Sequence, residues 1–218
     1  MKIQNILFDL DGTLTDPSEG IVNCIIHTLK KLNQSVPERE KLAAWIGPPL
    51  RENFANFLDT EDPEVIENAV TIFRDRFSDV GLFENQVYDG IPELLETLRS
   101  SGKTLFIVTG KPEPYAKRIL AHFQMAACFQ SIYGAQLDGT FDDKTVLMGH
   151  VLRNEGIEPD KSIMIGDRKH DIMAASKHNI STIGVTYGFG TEHELKTAGA
   201  DTVVHTPEQL LNILHSPG

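Results

Sequence analysis

The sequence predicts an α/β protein built on a parallel sheet, with an all-helical segment inserted after the first strand. Three observations predict it. From Tyr88-Asp89-Gly90 onward, short continuous apolar runs alternate with helical patterns, as strands buried on both faces alternate with crossover helices. One further run of the same kind, Ile6 to Phe8, stands far upstream. Between the two, residues 17–86 carry apolar residues at helical spacing and no strand pattern.

Taken in order, Ile6 to Phe8 is the first strand and runs into Asp9-Leu10-Asp11-Gly12-Thr13. In the insert, Ile21, Ile25, Thr28, Leu29 and Leu32 form one helical stripe, and Ile66, Ala69, Val70, Phe73 and Phe77 form another. Trp45 and Phe54 add apolar mass, so the stripes read as helix-on-helix core. Asp16 and Glu19 read as caps of the first insert helix, and Gly47-Pro48-Pro49 as a rigid turn between helices. After the insert come a helix from Pro92 to Arg99, stopped at Gly102, and a strand from Thr104 to Val108 ending in Thr109-Gly110-Lys111. A helix from Pro114 to Phe123 and a strand from Ser131 to Ala135 follow. Next are a helix from Lys144 to Asn154, stopped at Gly156, and a strand from Ser162 to Ile165 ending in Gly166-Asp167. A helix from Asp171 to Lys177 and strands at Thr182–Val185 and Thr202–Val204 complete the pattern. The domains are therefore 1–16 with 87–218 for the core and 17–86 for the insert. The tail, Ser216-Pro217-Gly218, is expected to fray.

The 218 residues carry a net charge of −11, which argues against nucleic acid polymers and anionic membranes as partners. No apolar run approaches the ~20 residues of a membrane span, and no signal-like stretch opens the chain, so a cytoplasmic protein is expected. Cys24 and Cys128 lack Cys-x-x-Cys spacing and read as reduced structural thiols.

The chemistry concentrates at Asp9 and Asp11. If the strand persists, its alternation points both carboxylates to one side. Two close carboxylates repel and are costly to desolvate unless a positive group meets them, and a hard cation with oxygen ligands, Mg2+ foremost, answers that need. Alone, Asp-Leu-Asp-Gly fits equally well a strand that ends in a turn. Thr109 and Asp167 also stand at the C-terminal ends of predicted parallel strands, the edge where ligands gather in open α/β sheets. Lys144 opens a helix after Asp142-Asp143. Singly, these are a strand exit, a solvated lysine and a helix cap.

Together, Asp9-Leu10-Asp11-Gly12-Thr13-Leu14-Thr15-Asp16, Ile107-Val108-Thr109-Gly110, Lys144 and Gly166-Asp167-Arg168-Lys169-His170-Asp171-Ile172 resemble the four motifs of the haloacid dehalogenase superfamily in order, spacing and strand placement. The resemblance covers essentially the whole chain and is strongest to the phosphoglycolate phosphatase-like subgroup, which includes nucleotidase-like members. It implies a Rossmann-like, doubly wound parallel core with a small helical cap of the family's first type. It also implies a Mg2+-dependent phosphatase acting on a small phosphorylated metabolite through an aspartyl-phosphate. Asp9 would be the nucleophile and Asp11 the acid and base. Thr109 and Gly110 would hold phosphoryl oxygens, and Lys144 would neutralise charge. Asp9, the Asp11 carbonyl and Asp167 would ligate the metal, with Asp171 holding a metal-bound water. A cap loop of this kind closes over substrate in relatives, which would bring Arg51 to a substrate anion. Arg168, Lys169 and His170 read instead as helix-start and surface residues. The Asp9-Asp11 pair also serves phosphosugar mutases of the beta-phosphoglucomutase type, and a non-catalytic phosphate-sensing protein is the remaining alternative. Dehalogenase members lack the second aspartate.

Overall fold

β1 (Asn5–Phe8) lies in the middle of the main sheet, and its composition explains the position: Ile6, Leu7 and Phe8 are all fully buried, filling both faces. Burying each such side chain contributes about 1.5–3 kcal/mol. The computed structural model describes residues 3–215, so the Ser216-Pro217-Gly218 tail lies outside the described residues.

The other strands of this sheet are β4 (Thr104–Pro112), β5 (Ser131–Ala135), β6 (Ser162–Gly166), β7 (Ser181–Val185) and β8 (Thr202–Val204). The order is β5-β4-β1-β6-β7-β8, with parallel pairing throughout. β1 pairs with β4 on one side, Phe8 opposite Ile107, and with β6 on the other, Phe8 opposite Ile165. The strand order therefore reverses at β1, and the crevice beyond its C-terminal end is the place where such sheets bind ligands. Crossover helices are α5 (Ile91–Ser100), α6 (Glu113–His122), α7 (Lys144–Glu155), α8 (Lys169–Lys177) and α9 (Glu192–Thr197), and α10 (Pro207–His215) follows the last strand. Phe106 and Val108 of β4, Met164 of β6, and Leu147, Met148 and Val151 of α7 pack into one buried cluster with Leu7. This ties α7, and with it Lys144, to the centre of the sheet.

The chain divides into two compact units, 1–16 with 87–218 and 17–86. The second contains α1 (Ser18–Lys31), α2 (Arg39–Ala43), α3 (Leu50–Leu58), α4 (Pro63–Arg76) and a π-helical turn, Phe77–Gly81. Its core is aromatic. Phe54 meets Trp45 edge-on at 5.4 Å and Phe73 at 6.4 Å, and Phe73 stacks on Phe77 at 5.4 Å. Ile25, Leu29, Ala69 and Val70 from the two expected stripes are buried with them.

The structure corrects several local expectations. β1 stops at Phe8, so strand alternation does not place Asp9 and Asp11. A turn does: the Leu10 carbonyl accepts hydrogen bonds from the N–H groups of Thr13, Leu14 and Thr15. β4 runs to Pro112 rather than Val108, with a register shift between Thr109 and Pro112. The N-cap position of α1 is Pro17 rather than Asp16, and Glu19 lies in the first turn of the helix. Two short strands, β2 (Thr15–Asp16) and β3 (Gln86–Val87), form a separate sheet; two residues are too few to leave a periodicity in the sequence. Cys24 and Cys128 are free thiols.

Candidate active site

Asp9 follows β1 directly, and its N–H donates to the Ile165 carbonyl of β6 at 2.9 Å. The nucleophile candidate is thus fixed by the strand beside it. Asp167 follows β6 and is fully buried. Its Oδ2 accepts the Phe189 N–H at 2.8 Å, while its Oδ1 is buried without a hydrogen-bond partner among the described residues. Burial first, then the negative charges of Asp171 and Asp9, push the Asp167 carboxyl up to about 8. Gly12 is what permits this close packing. Its φ is +78°, in the left-handed region, and a Cβ there would stand 2.2 Å from Asp167 Oδ2.

Lys144 is placed by a capped helix start. Asp143 is the N-cap of α7, its carboxylate accepting the Thr145 N–H at 2.7 Å. From the first turn the buried Lys144 side chain reaches two acids, with Nζ 2.9 Å from Asp9 Oδ1 and in contact with Asp171 Oδ1. Desolvation works against the ammonium, but the attraction of Asp171 and Asp9 prevails and holds it charged. Asp171 is also buried, and its other oxygen accepts the Arg168 N–H at 3.0 Å, closing a capping box at the start of α8. Burial raises its carboxyl despite Lys144. Gly166 makes room for it, since a Cβ at that position would fall 2.2 Å from the Asp171 carboxyl carbon.

Asp9, Asp167 and Asp171 each offer an oxygen within 4.8 Å of the others. The donor set is all oxygen and anionic, it includes an unpartnered buried atom, and it raises a carboxyl far above its ordinary range. These properties fit a hard divalent cation such as Mg2+.

Asp11 meets a residue that sequence reasoning passed over. Lys111 Nζ lies 2.6 Å from Asp11 Oδ2, with the lysine side chain only 5% exposed. Asp11 Oδ1 is buried and has no hydrogen-bond partner among the described residues. Burial raises the Asp11 carboxyl, against the pull of Lys111. The signal was present in Thr109-Gly110-Lys111: residues two apart on an extended strand share a face. Thr109 is buried near the end of β4, and its Oγ1 accepts the Lys111 N–H at 3.2 Å. Gly110 is exposed on the same strand. The Phe189 amide was equally invisible, because it arrives from a loop with no motif of its own.

Arg51 lies in the second unit, on α3, where its guanidinium pairs with Glu67 of α4. Arg168 pairs with Glu194 at 2.9 Å, while Lys169 and His170 are exposed on the first turn of α8. Among the described residues no helix is long and apolar enough to cross a membrane.

Comparison with known proteins matches the model of haloacid dehalogenase-like hydrolases to residues 6–185. A 5'-nucleotidase of Pseudomonas aeruginosa is 45% identical over 196 residues, covering 90% of this chain and 88% of the relative. Tyrosine-protein kinase PtkA of Mycobacterium tuberculosis is 36% identical over 93% of this chain and 68% of its own length. A phosphoglycolate phosphatase of Colwellia psychrerythraea is 28% identical over 97% of this chain and 98% of its own. The crystal structure of a predicted phosphatase from Clostridium acetobutylicum superposes with a TM-score of 0.92 at 40% identity, covering 98% of this chain and 99% of that one. A family match across most of the chain, with a relative 45% identical over nine-tenths of it, makes this chain a member of the haloacid dehalogenase-like hydrolases.

Proposed function

We propose that the chain is a Mg2+-dependent phosphatase that hydrolyses a small phosphomonoester through an aspartyl-phosphate on Asp9. The observation that carries this reading is the convergence of Asp9, Asp167 and Asp171, with the buried Lys144 against Asp9 and Asp171, at the switch point of the sheet. Phosphoryl transfer requires placement and charge neutralisation more than covalent chemistry from many groups. Asp9, the Asp11 carbonyl and Asp167 would hold Mg2+, with Asp171 acting through a water, since both its oxygens already engage protein donors. The bound ion would offset the anionic charge of substrate and carboxylates.

In this reading Asp9 attacks phosphorus, the bond to the leaving oxygen breaks, and Asp11 gives that oxygen a proton. Asp11 then takes a proton from water as the water attacks phosphorus and the bond to Asp9 breaks. The Asp11 carboxyl, raised by burial, suits a group that must give and take a proton. Lys144 holds Asp9 in place and balances charge, and the Thr109 hydroxyl and Gly110 amide receive phosphoryl oxygens. Relatives named for 5'-nucleotidase and phosphoglycolate phosphatase activity support a nucleoside monophosphate or a phosphoglycolate-like acid as substrate. Arg51 would meet a second anionic group on such a substrate. The expected location is cytoplasmic.

A panel of phosphorylated metabolites, assayed for inorganic phosphate with and without Mg2+, tests the reading. Metal-dependent phosphate release from a subset of small monoesters supports it. Isomerised sugar phosphate without phosphate release would overturn it in favour of a mutase, and no turnover of any ester would favour a non-catalytic phosphate sensor.

A further inference from the structure

The Asp11 carboxyl is held at one end only. Lys111 Nζ grips Oδ2 at 2.6 Å, while Oδ1 is buried and has no hydrogen-bond partner among the described residues. Lys111 is itself fixed. It extends from β4 two residues beyond Thr109, its N–H bonds to Thr109 Oγ1, and its side chain is 5% exposed. The charged partner therefore decides which carboxyl oxygen is engaged and which remains to meet another polar atom. A buried carboxyl oxygen without a partner is costly, and the leaving oxygen of a bound ester would satisfy it.

We propose that Lys111 is a positioning residue for the acid–base step: by anchoring Asp11 Oδ2 it presents Oδ1 as the oxygen that exchanges the proton with the leaving group. This rests on the phosphatase reading above. In the first half-reaction the proton moves from Oδ1 to the leaving oxygen as that oxygen's bond to phosphorus breaks and the Asp9–phosphorus bond forms. In the second, Oδ1 accepts a proton from the attacking water as the Asp9–phosphorus bond breaks. Lys111 takes no part in the proton exchange itself and acts through the Asp11 carboxyl that it anchors. Without the anchor the carboxyl rotates, and misplacement on the scale of 1 Å costs as much as ~100-fold.

The test is kcat/KM, which reports only steps through departure of the leaving group, for a simple alkyl phosphate and for p-nitrophenyl phosphate. Lys111→Met should lower the alkyl ester's value by about 10- to 100-fold and that of the nitrophenyl ester, whose leaving group needs little proton, by less than about 3-fold. Lys111→Arg, which keeps a cationic donor, should recover part of the loss. In an Asp11→Asn background, Lys111→Met should cost almost nothing further on the alkyl ester, because it acts through the group already removed. Equal losses on both esters, or losses that add in the double variant, would overturn the proposal and make Lys111 a structural or phosphate-binding cation. Unfolding curves of each variant identify a folding defect, in which case the Lys111→Arg and Asp11→Asn arms decide. If the wild type releases no phosphate from either ester, it is the phosphatase reading that fails.

Discussion

Lys144 Nζ stands 2.9 Å from Asp9 Oδ1 while touching Asp171, so one buried cation links the acid after β1 to an acid on α8. Removing one partner of a buried charge cluster leaves the others uncompensated. Lys144→Met should therefore reduce turnover and also lower thermal stability in chelator. Lys144→Arg should not restore activity, because a planar fork cannot replace a point charge between two carboxylates. Paired assays of phosphate release and thermal unfolding check both statements. Unchanged turnover in Lys144→Met would place Lys144 outside the chemistry.

The metal proposal predicts that EDTA abolishes hydrolysis and Mg2+ restores it. Ca2+ should bind yet support little turnover, since its looser shell misplaces the oxygens. Asp167→Ala should raise the Mg2+ concentration needed for half-maximal rate sharply, and Asp171→Ala somewhat less. Mg2+ titrations of rate supply the measurement, and full activity in excess chelator would refute it.

A pH dependence follows from Asp167. Its carboxyl lies at about 8 in the fold against 3.8 ordinarily. Between these values the folded state binds more protons than the unfolded one, so this group makes the metal-free protein less stable as pH rises through that window. In EDTA, wild type should lose stability relative to Asp167→Asn between about pH 5 and pH 8. Saturating Mg2+, which takes the place of the proton, should remove the difference. Thermal unfolding across pH for the two proteins tests the sign, and parallel curves in chelator would contradict it.

Arg51 gives a selectivity prediction. Its guanidinium already pairs with Glu67, so a substrate anion would have to share it. Arg51→Ala should weaken kcat/KM for a substrate with a second anionic group by about 10- to 150-fold, the worth of one charged hydrogen bond, and barely alter p-nitrophenyl phosphate. A matching fall in both substrates would assign Arg51 to the stability of its own unit, and no change in either would make it a surface residue.

The alternation of apolar runs with helical patterns made the sheet legible, because central strands such as Ile6-Leu7-Phe8 are buried on both faces and read as continuous runs. Asp9, Lys144, Asp167 and Asp171 were legible for a related reason: each sits at the end of a strand or the start of a helix, where the pattern changes. The sequence misled at Asp9-Leu10-Asp11. There a turn on the Leu10 carbonyl, with Gly12 at positive φ, does the aiming that strand alternation was expected to do. Lys111 escaped because β4 extends past its apolar run to Pro112, and a polar strand end carries no hydrophobic period. Partners such as the Phe189 N–H depend on a loop's path, which no local pattern encodes.

The acid and the nucleophile should separate by leaving group. Asp11→Asn keeps the backbone carbonyl, so Mg2+ binding should largely survive while hydrolysis of alkyl esters falls by ~10^2- to 10^4-fold. Esters with very acidic leaving groups should lose less in kcat/KM. An equal loss across leaving groups would point to a metal or structural defect.

The central claim is covalent transfer to Asp9, and trapping the intermediate tests it most directly. Enzyme quenched during turnover and reduced with borohydride converts an aspartyl-phosphate to homoserine, which peptide mass spectrometry can locate. The account predicts homoserine at position 9, dependent on both substrate and Mg2+, and absent from Asp9→Asn, whose turnover should fall by on the order of 10^4-fold. Homoserine at another aspartate, or near-normal turnover by folded Asp9→Asn, would contradict it.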